Sequence, residues 1–202
     1  MEAPRKRGLS GLDNHGNASI GITDPSFIQL SRDPDIYVKD NFFSCCECQA
    51  LMLNLACDRP STTEFGQSEN RTSKSCRIIG DFVPTSRIHD LIPVPSKNFE
   101  PIGAIQYEEG GRYAYHHDYF KEDHSCGNRI ATVLVYLNDN EAGTHFKELD
   151  ITVVPKRGRC LVFFPCFKNG ERDPRLLHAG CTVETKRKYI LQTWVRLRPY
   201  TQ

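Results

Sequence analysis

The run Thr132-Val133-Leu134-Val135-Tyr136-Leu137 constrains this chain more than any other stretch. Apolar residues fill both alternating sets of positions, so as a strand it offers no face to water and belongs in the middle of a packed sheet. Asn138-Asp139-Asn140 supplies the turn that ends it. Short strand-like runs recur at 27–31, 36–38, 76–79, 102–107, 150–154, 160–164 and 189–197, separated by turns such as Pro155-Lys156-Arg157-Gly158. Ser44 stands as a helix N-cap ahead of Cys48, Leu51, Met52 and Leu55, whose i, i+3, i+4, i+7 spacing predicts an amphipathic helix ending near 57–60. A second, short helix is expected over 86–91. Many short strands with flanking helices predict a mainly β fold of sandwich or jelly-roll type.

Residues 1–24 are rich in Gly, Asn, Ser and basic side chains without periodicity, which predicts a flexible N-terminal extension. Residues 25–202 then form one domain. The polar stretch 61–74 predicts a long exposed loop. With 26 basic and 25 acidic residues and a net charge of +1, the chain has no field suited to nucleic acid. It contains no apolar run of about 18 residues, so no membrane segment is expected and the chain reads as soluble. Nine cysteines cannot all pair within one chain. Cys45-Cys46-Glu47-Cys48 contains a Cys-x-x-Cys, yet a structural zinc site needs a second such pair and the other cysteines are scattered singly. The sequons at Asn17 and Asn70 leave the compartment open between the secretory lumen and the cytoplasm.

Chemistry concentrates in Tyr113-Ala114-Tyr115-His116-His117-Asp118-Tyr119-Phe120. On a strand, His116 and Asp118 point to one face and His117 to the other. Two such ligands leave one face of a metal open, and a third donor completes a facial triad with positions left for substrate and oxygen. His178 is the best candidate for it. Ten residues later, Lys188 shares a strand face with Trp194. A lysine turned into a barrel requires an anion, because a buried ammonium without a partner is costly. A dicarboxylate that chelates the metal at one end and meets Lys188 at the other satisfies both, and Tyr136 is placed to donate a phenolic hydrogen bond to it. A slip of register substitutes Lys186 or Arg187 for Lys188. His124 and His145 read most simply as loop residues.

These pieces, in this order and spacing, resemble the prolyl 4-hydroxylases, a branch of the iron(II)- and 2-oxoglutarate-dependent dioxygenases built on a double-stranded β-helix. The resemblance spans residues 27–196 and rests on 40–44 with Glu47-Cys48, on Arg71-Thr72-Ser73, on 107–120 and 129–137, on 155–158 with Phe163-Phe164, and on 178–183. It implies that His116, Asp118 and His178 bind iron and that Lys188 pairs with the distal carboxylate of 2-oxoglutarate. It implies that Tyr107, Tyr113, Leu134, Tyr136, Thr144 and Trp194 line the cosubstrate pocket, with Arg129 and Arg71 facing substrate. The implied reaction uses Fe(II), O2 and L-ascorbate. It hydroxylates a prolyl residue of a peptide or protein as 2-oxoglutarate is decarboxylated to succinate. Hydroxylation of another side chain or a free amino acid, or an inactive binding module, are the alternatives. The chain departs from the family pattern at Glu141-Ala142-Gly143-Thr144-His145-Phe146, at Tyr189 and Ile190, and around His124-Ser125-Cys126.

Overall fold

The computed structural model describes residues 21–61, 70–120 and 124–201, so most of the N-terminal extension and the middle of the 61–74 loop lie outside the described residues. The strands are β1 (Ile28–Arg32), β2 (Asp35–Lys39), β3 (Leu55–Pro60), β4 (Lys74–Ile78), β5 (Gly103–Tyr107), β6 (Tyr113–His116), β7 (Arg129–Tyr136), β8 (Thr144–Phe146), β9 (Ile151–Val153), β10 (Cys160–Phe163), β11 (His178–Gly180) and β12 (Lys188–Arg196). Two α-helices accompany them, α1 (Cys45–Leu53) and α2 (Thr85–His89). Eight strands form a major sheet in the order β1-β2-β10-β7-β12-β5-β4-β3, and a minor sheet has the order β6-β11-β8-β9.

β7 sits fourth in the major sheet between β10 and β12, and every residue from Ile130 to Tyr136 is buried. Its two faces serve two cores. Val133 and Val135 pack with Leu51 of α1, Ile88 of α2, and Leu191 and Val195 of β12. Leu134 and Tyr136 face the minor sheet and pack with Phe146, Val153, Phe163 and Ile190. This division explains why the strand carries no polar face, and the two opposed antiparallel sheets are the expected jelly roll.

Helix α1 begins as expected. Ser44 Oγ accepts from the Glu47 amide at 3.2 Å and a Glu47 carboxylate oxygen accepts from the Ser44 amide at 2.7 Å, a complete capping box. Glu47 also receives Arg87 of α2 at 2.8 Å. The helix is shorter than its periodicity predicts. The Asn54 amide closes it on Leu51, the Asn54 carbonyl accepts from Ile79, and residues 55–60 leave as β3 to pair with β4. Non-local pairing thus overrides the local helical pattern. A disulfide joins Cys57 to Cys76 across these two strands, a partnership that their spacing in the sequence does not show. Cys45 and Cys46 are exposed and Cys48 is buried, and among the described residues no cysteine joins a cluster of three metal-ligating groups. No described helix is long and apolar enough to cross a membrane.

The turn before β10 ties α1 to β7. The Gly158 amide donates to Tyr136 and its carbonyl accepts from Phe43. Its φ is +77°, and a Cβ there would overlap the Phe43 carbonyl. Gly158→Ala is therefore expected to cost about 2 kcal/mol or more from left-handed strain plus the clash, read as a lower urea midpoint at unchanged slope.

Candidate metal and cosubstrate site

The ligand atoms of His116, Asp118 and His178 lie within 4.8 Å of one another at the mouth of a cavity between the sheets. β6 and β11 bring the histidines together as direct cross-strand partners. His178 opens β11, a short strand ahead of the long β12. Asp118 differs from expectation. β6 ends at His116, and Asp118 reaches the cluster from a bend beyond it, so strand alternation is not what aligns the pair. His117 is absent from the cavity lining, in keeping with its expected outward orientation.

The donors are held in a form suited to a metal. His116 Nδ1 lies 2.8 Å from the Ala114 carbonyl and His178 Nδ1 lies 3.0 Å from the Leu176 carbonyl, which places the proton on Nδ1 in both rings. Each Nε2 then points its lone pair toward Asp118, 3.7 Å from a carboxylate oxygen. Burial and the neighbouring His178 push the His116 pKa down, which keeps that imidazole neutral and ligating. Burial raises the Asp118 pKa, but His178, His116, Arg129 and the hydrogen bond from Thr132 outweigh it, so the carboxyl stays ionised. The Thr132 hydroxyl donates to the second Asp118 oxygen at 2.8 Å. Two imidazoles and one carboxylate on one side of an open cavity fit a divalent iron with positions left for other ligands.

Behind the cluster the cavity runs down between the sheets to Lys188. Lys188 is 2% exposed; its ammonium donates to the Ala142 carbonyl at 2.9 Å and lies 4.4 Å from the Tyr107 ring centroid. It forms no ion pair with a described residue, and burial pushes its pKa down to about 8. Such a lysine fits the distal carboxylate of a diacid. Lys186 and Arg187 are exposed, which resolves the choice of register in favour of Lys188.

The other expected pocket residues assemble here with partners of their own. Tyr107, Tyr113, Leu134, Tyr136, Thr144 and Trp194 all line the cavity. The Tyr136 hydroxyl donates to Thr144 Oγ1 at 2.7 Å, so it is already engaged within the protein. Burial pushes the Tyr107 pKa up to about 12, keeping it a neutral phenol. Tyr113 stacks on His116 with ring centroids 3.5 Å apart, and the Arg71 guanidinium lies over Tyr113 at 4.6 Å. Arg129 is clamped: Glu100 accepts from it at 2.8 and 2.9 Å while its guanidinium lies 3.6 Å from the Trp194 ring centroid. His124 meets Phe120 at 4.5 Å between ring centroids. His145 bonds Tyr115 across Ala179 at 2.6 Å, on the face of the minor sheet away from the cavity. Two residues escaped the sequence reading. Thr132 was visible only as a strand residue, because its acceptor is 14 positions away, and Gln192 lines the cavity between Lys188 and Trp194, where alternation along β12 was the available signal.

Residues 102–196 match the 2OG-Fe(II) oxygenase superfamily. The chain is 29% identical over 230 residues to Probable prolyl 4-hydroxylase 8 of Arabidopsis thaliana, covering 93% of this chain and 77% of that protein. It is 32% identical over 153 residues to prolyl 4-hydroxylase subunit alpha-1 of Gallus gallus, covering 69% of this chain but only 30% of that longer subunit. Among solved structures, the viral collagen prolyl hydroxylase of Paramecium Bursaria Chlorella virus-1, in its 2OG complex, superposes with a TM-score of 0.61 at 24% identity, covering 80% of this chain and 95% of that one. A Trichoplax adhaerens prolyl hydroxylase in complex with a hypoxia inducible factor oxygen degradation domain peptide fragment gives 0.58 at 17% identity, covering 80% and 83%. These two likenesses establish the fold, a double-stranded β-helix. With that fold and a His-Asp-His cluster between its sheets, residues 102–196 form a 2OG-Fe(II) oxygenase superfamily domain, in a chain similar to prolyl 4-hydroxylases along most of its length.

Proposed function

We infer that the protein is a prolyl 4-hydroxylase that acts on proline-containing peptides or proteins and consumes 2-oxoglutarate and O2. The observation that carries this reading is the pairing of the His116-Asp118-His178 cluster with a buried Lys188 at the far end of the same cavity. His116, Asp118 and His178 hold iron(II), and Lys188 receives the distal carboxylate of 2-oxoglutarate. Bound iron with chelated 2-oxoglutarate supplies the O2 activation that converts the cosubstrate to succinate and CO2 and delivers oxygen to a substrate C–H bond. The protein's part is placement and shelter. Thr132 holds the Asp118 carboxylate, the Ala114 and Leu176 carbonyls fix the two imidazoles, and Leu134, Ile190 and Phe163 keep the cavity wall apolar.

Trp194, with Arg129 stacked on it, and Tyr113, with Arg71 above it, form the sides of the mouth where a peptide enters. Residues 25–202 constitute the catalytic domain, and L-ascorbate serves as the reductant that restores iron(II). The Cys57–Cys76 disulfide favours an oxidising compartment such as the secretory lumen.

The test is succinate production from 2-oxoglutarate by iron-loaded protein with a panel of proline-rich peptides, followed by mass spectrometry of the peptides. A mass gain of one oxygen on proline is expected. Turnover that modifies only non-prolyl residues, or no turnover with any peptide, contradicts the reading.

A further inference from the structure

We propose that Gln192 is a further cosubstrate-binding residue, its side-chain amide donating to the carboxylate that a 2-oxo acid places beside the His116-Asp118-His178 cluster. This rests on the reading of the cavity as a 2-oxoglutarate site. Alternate residues of β12 line the cavity: Lys188, Ile190, Gln192 and Trp194. The strand register sets the height of each. Trp194 is paired with Thr132, whose hydroxyl holds Asp118, so this row is level with the metal cluster. Lys188 is paired with Tyr107 at the floor. Gln192, paired with Leu134, and Ile190, paired with Tyr136, lie between. A diacid joining the cluster to Lys188 therefore passes Gln192, on the metal side of its path.

Trp194 Nε1 on the same wall is buried without a hydrogen-bond partner among the described residues, while three other polar groups there are already engaged. Thr132 donates to Asp118, Tyr136 to Thr144, and Lys188 to the Ala142 carbonyl. The half-buried Gln192 makes no side-chain hydrogen bond with any described residue. Its partner on β5 is Gly103, where a Cβ would meet no atom within 4 Å, so no side chain from that strand competes for the amide. Its cavity-facing neighbours on the wall, Leu134 and Ile190, are apolar. A carboxamide carries two N–H donors and one acceptor, and here they are free to turn to a ligand in the cavity. A carboxylate beside it supplies acceptors, and a neutral donor near the cluster does not repel a metal cation as a second lysine would. Gln192 and Lys188 thus divide the work, one amide at the chelating end and one ammonium at the distal end.

The test is calorimetric titration of 2-oxoglutarate into protein loaded with Mn(II) in the absence of O2 and peptide. Gln192→Leu is expected to raise the Kd about tenfold or more, the loss of one hydrogen bond to a charged acceptor. Gln192→Glu, which keeps the side-chain size and guards against a folding defect, is expected to raise it further by setting two carboxylates together. Mn(II) content stays at the wild-type level in both, and in the iron-loaded enzyme the KM for 2-oxoglutarate rises while that for peptide does not. Wild-type affinity for 2-oxoglutarate in both variants, or a change confined to the peptide KM, overturns the role of Gln192. A wild-type protein that retains Mn(II) but does not bind 2-oxoglutarate overturns instead the cosubstrate reading on which the proposal stands.

Discussion

Asp118→Ala is expected to leave a folded protein that neither retains iron nor makes succinate above background. Asp118 is the single anionic member of the cluster, and its second oxygen accepts from Thr132. Its removal leaves two imidazoles for a dication and strands the Thr132 hydroxyl in a buried wall. Loss of groups that only support metal ligands costs roughly 10–100-fold in affinity or activity, so loss of the ligand itself should exceed about a hundredfold. Metal analysis after desalting reads the first effect and succinate formation the second, with circular dichroism as the check on folding. Retained iron and turnover within a few-fold of wild type would falsify the assignment of Asp118.

Lys188 carries the second large effect, and two readouts should move in opposite directions. Lys188→Met removes the charge partner of the distal carboxylate, and 2-oxoglutarate affinity is expected to fall about a hundredfold, while the metal cluster, which Lys188 does not touch, keeps its ion. Without cosubstrate the same variant should be more stable. Burial holds the lysine near pKa 8 against a usual 10.5, so the folded state binds fewer protons than the unfolded chain between those values. Stability then rises with pH across that interval, and the penalty is fully present below about 8. The shift corresponds to on the order of 3 kcal/mol, offset by roughly 1–2 kcal/mol for the Ala142 carbonyl left without its donor. A net gain of a few degrees in Tm at pH 7 is expected, with the difference from wild type shrinking above pH 10. By the same titration, wild-type affinity for 2-oxoglutarate should weaken as the pH rises through about 8, because the anion loses its ammonium partner. A variant less stable than wild type at pH 7 would mean that Lys188 is already compensated within the fold.

Both effects trace a trade of stability for binding. A buried lysine with only a carbonyl and an aromatic face for company, and a half-buried glutamine with no hydrogen-bond partner among the described residues, are features a sequence selected for stability alone would lose. The Arg129, Glu100 and Trp194 assembly is the reverse case. There a group expected to face substrate is committed to an ion pair and an aromatic face, so its influence on a peptide runs through the position of Trp194.

Local pattern was enough to reveal the mainly β architecture, the capped start of α1 and the buried strand β7, and to mark His116, Asp118, His178 and Lys188 as candidates that the fold gathers around one cavity. Those features are written in periodicity, turn residues and motif spacing, which depend on neighbours a few positions away. Tertiary structure alone decided where α1 stops, because β4 captures residues 55–60 as a strand, and it alone paired Cys57 with Cys76. It brought Asp118 into the cluster from a bend rather than a strand, turned Arg129 onto Glu100, and left Gln192 facing the cavity with its amide uncommitted. Each of these depends on which distant strand lies alongside, and that is set by how two sheets pack around one core, not by the identity of adjacent residues.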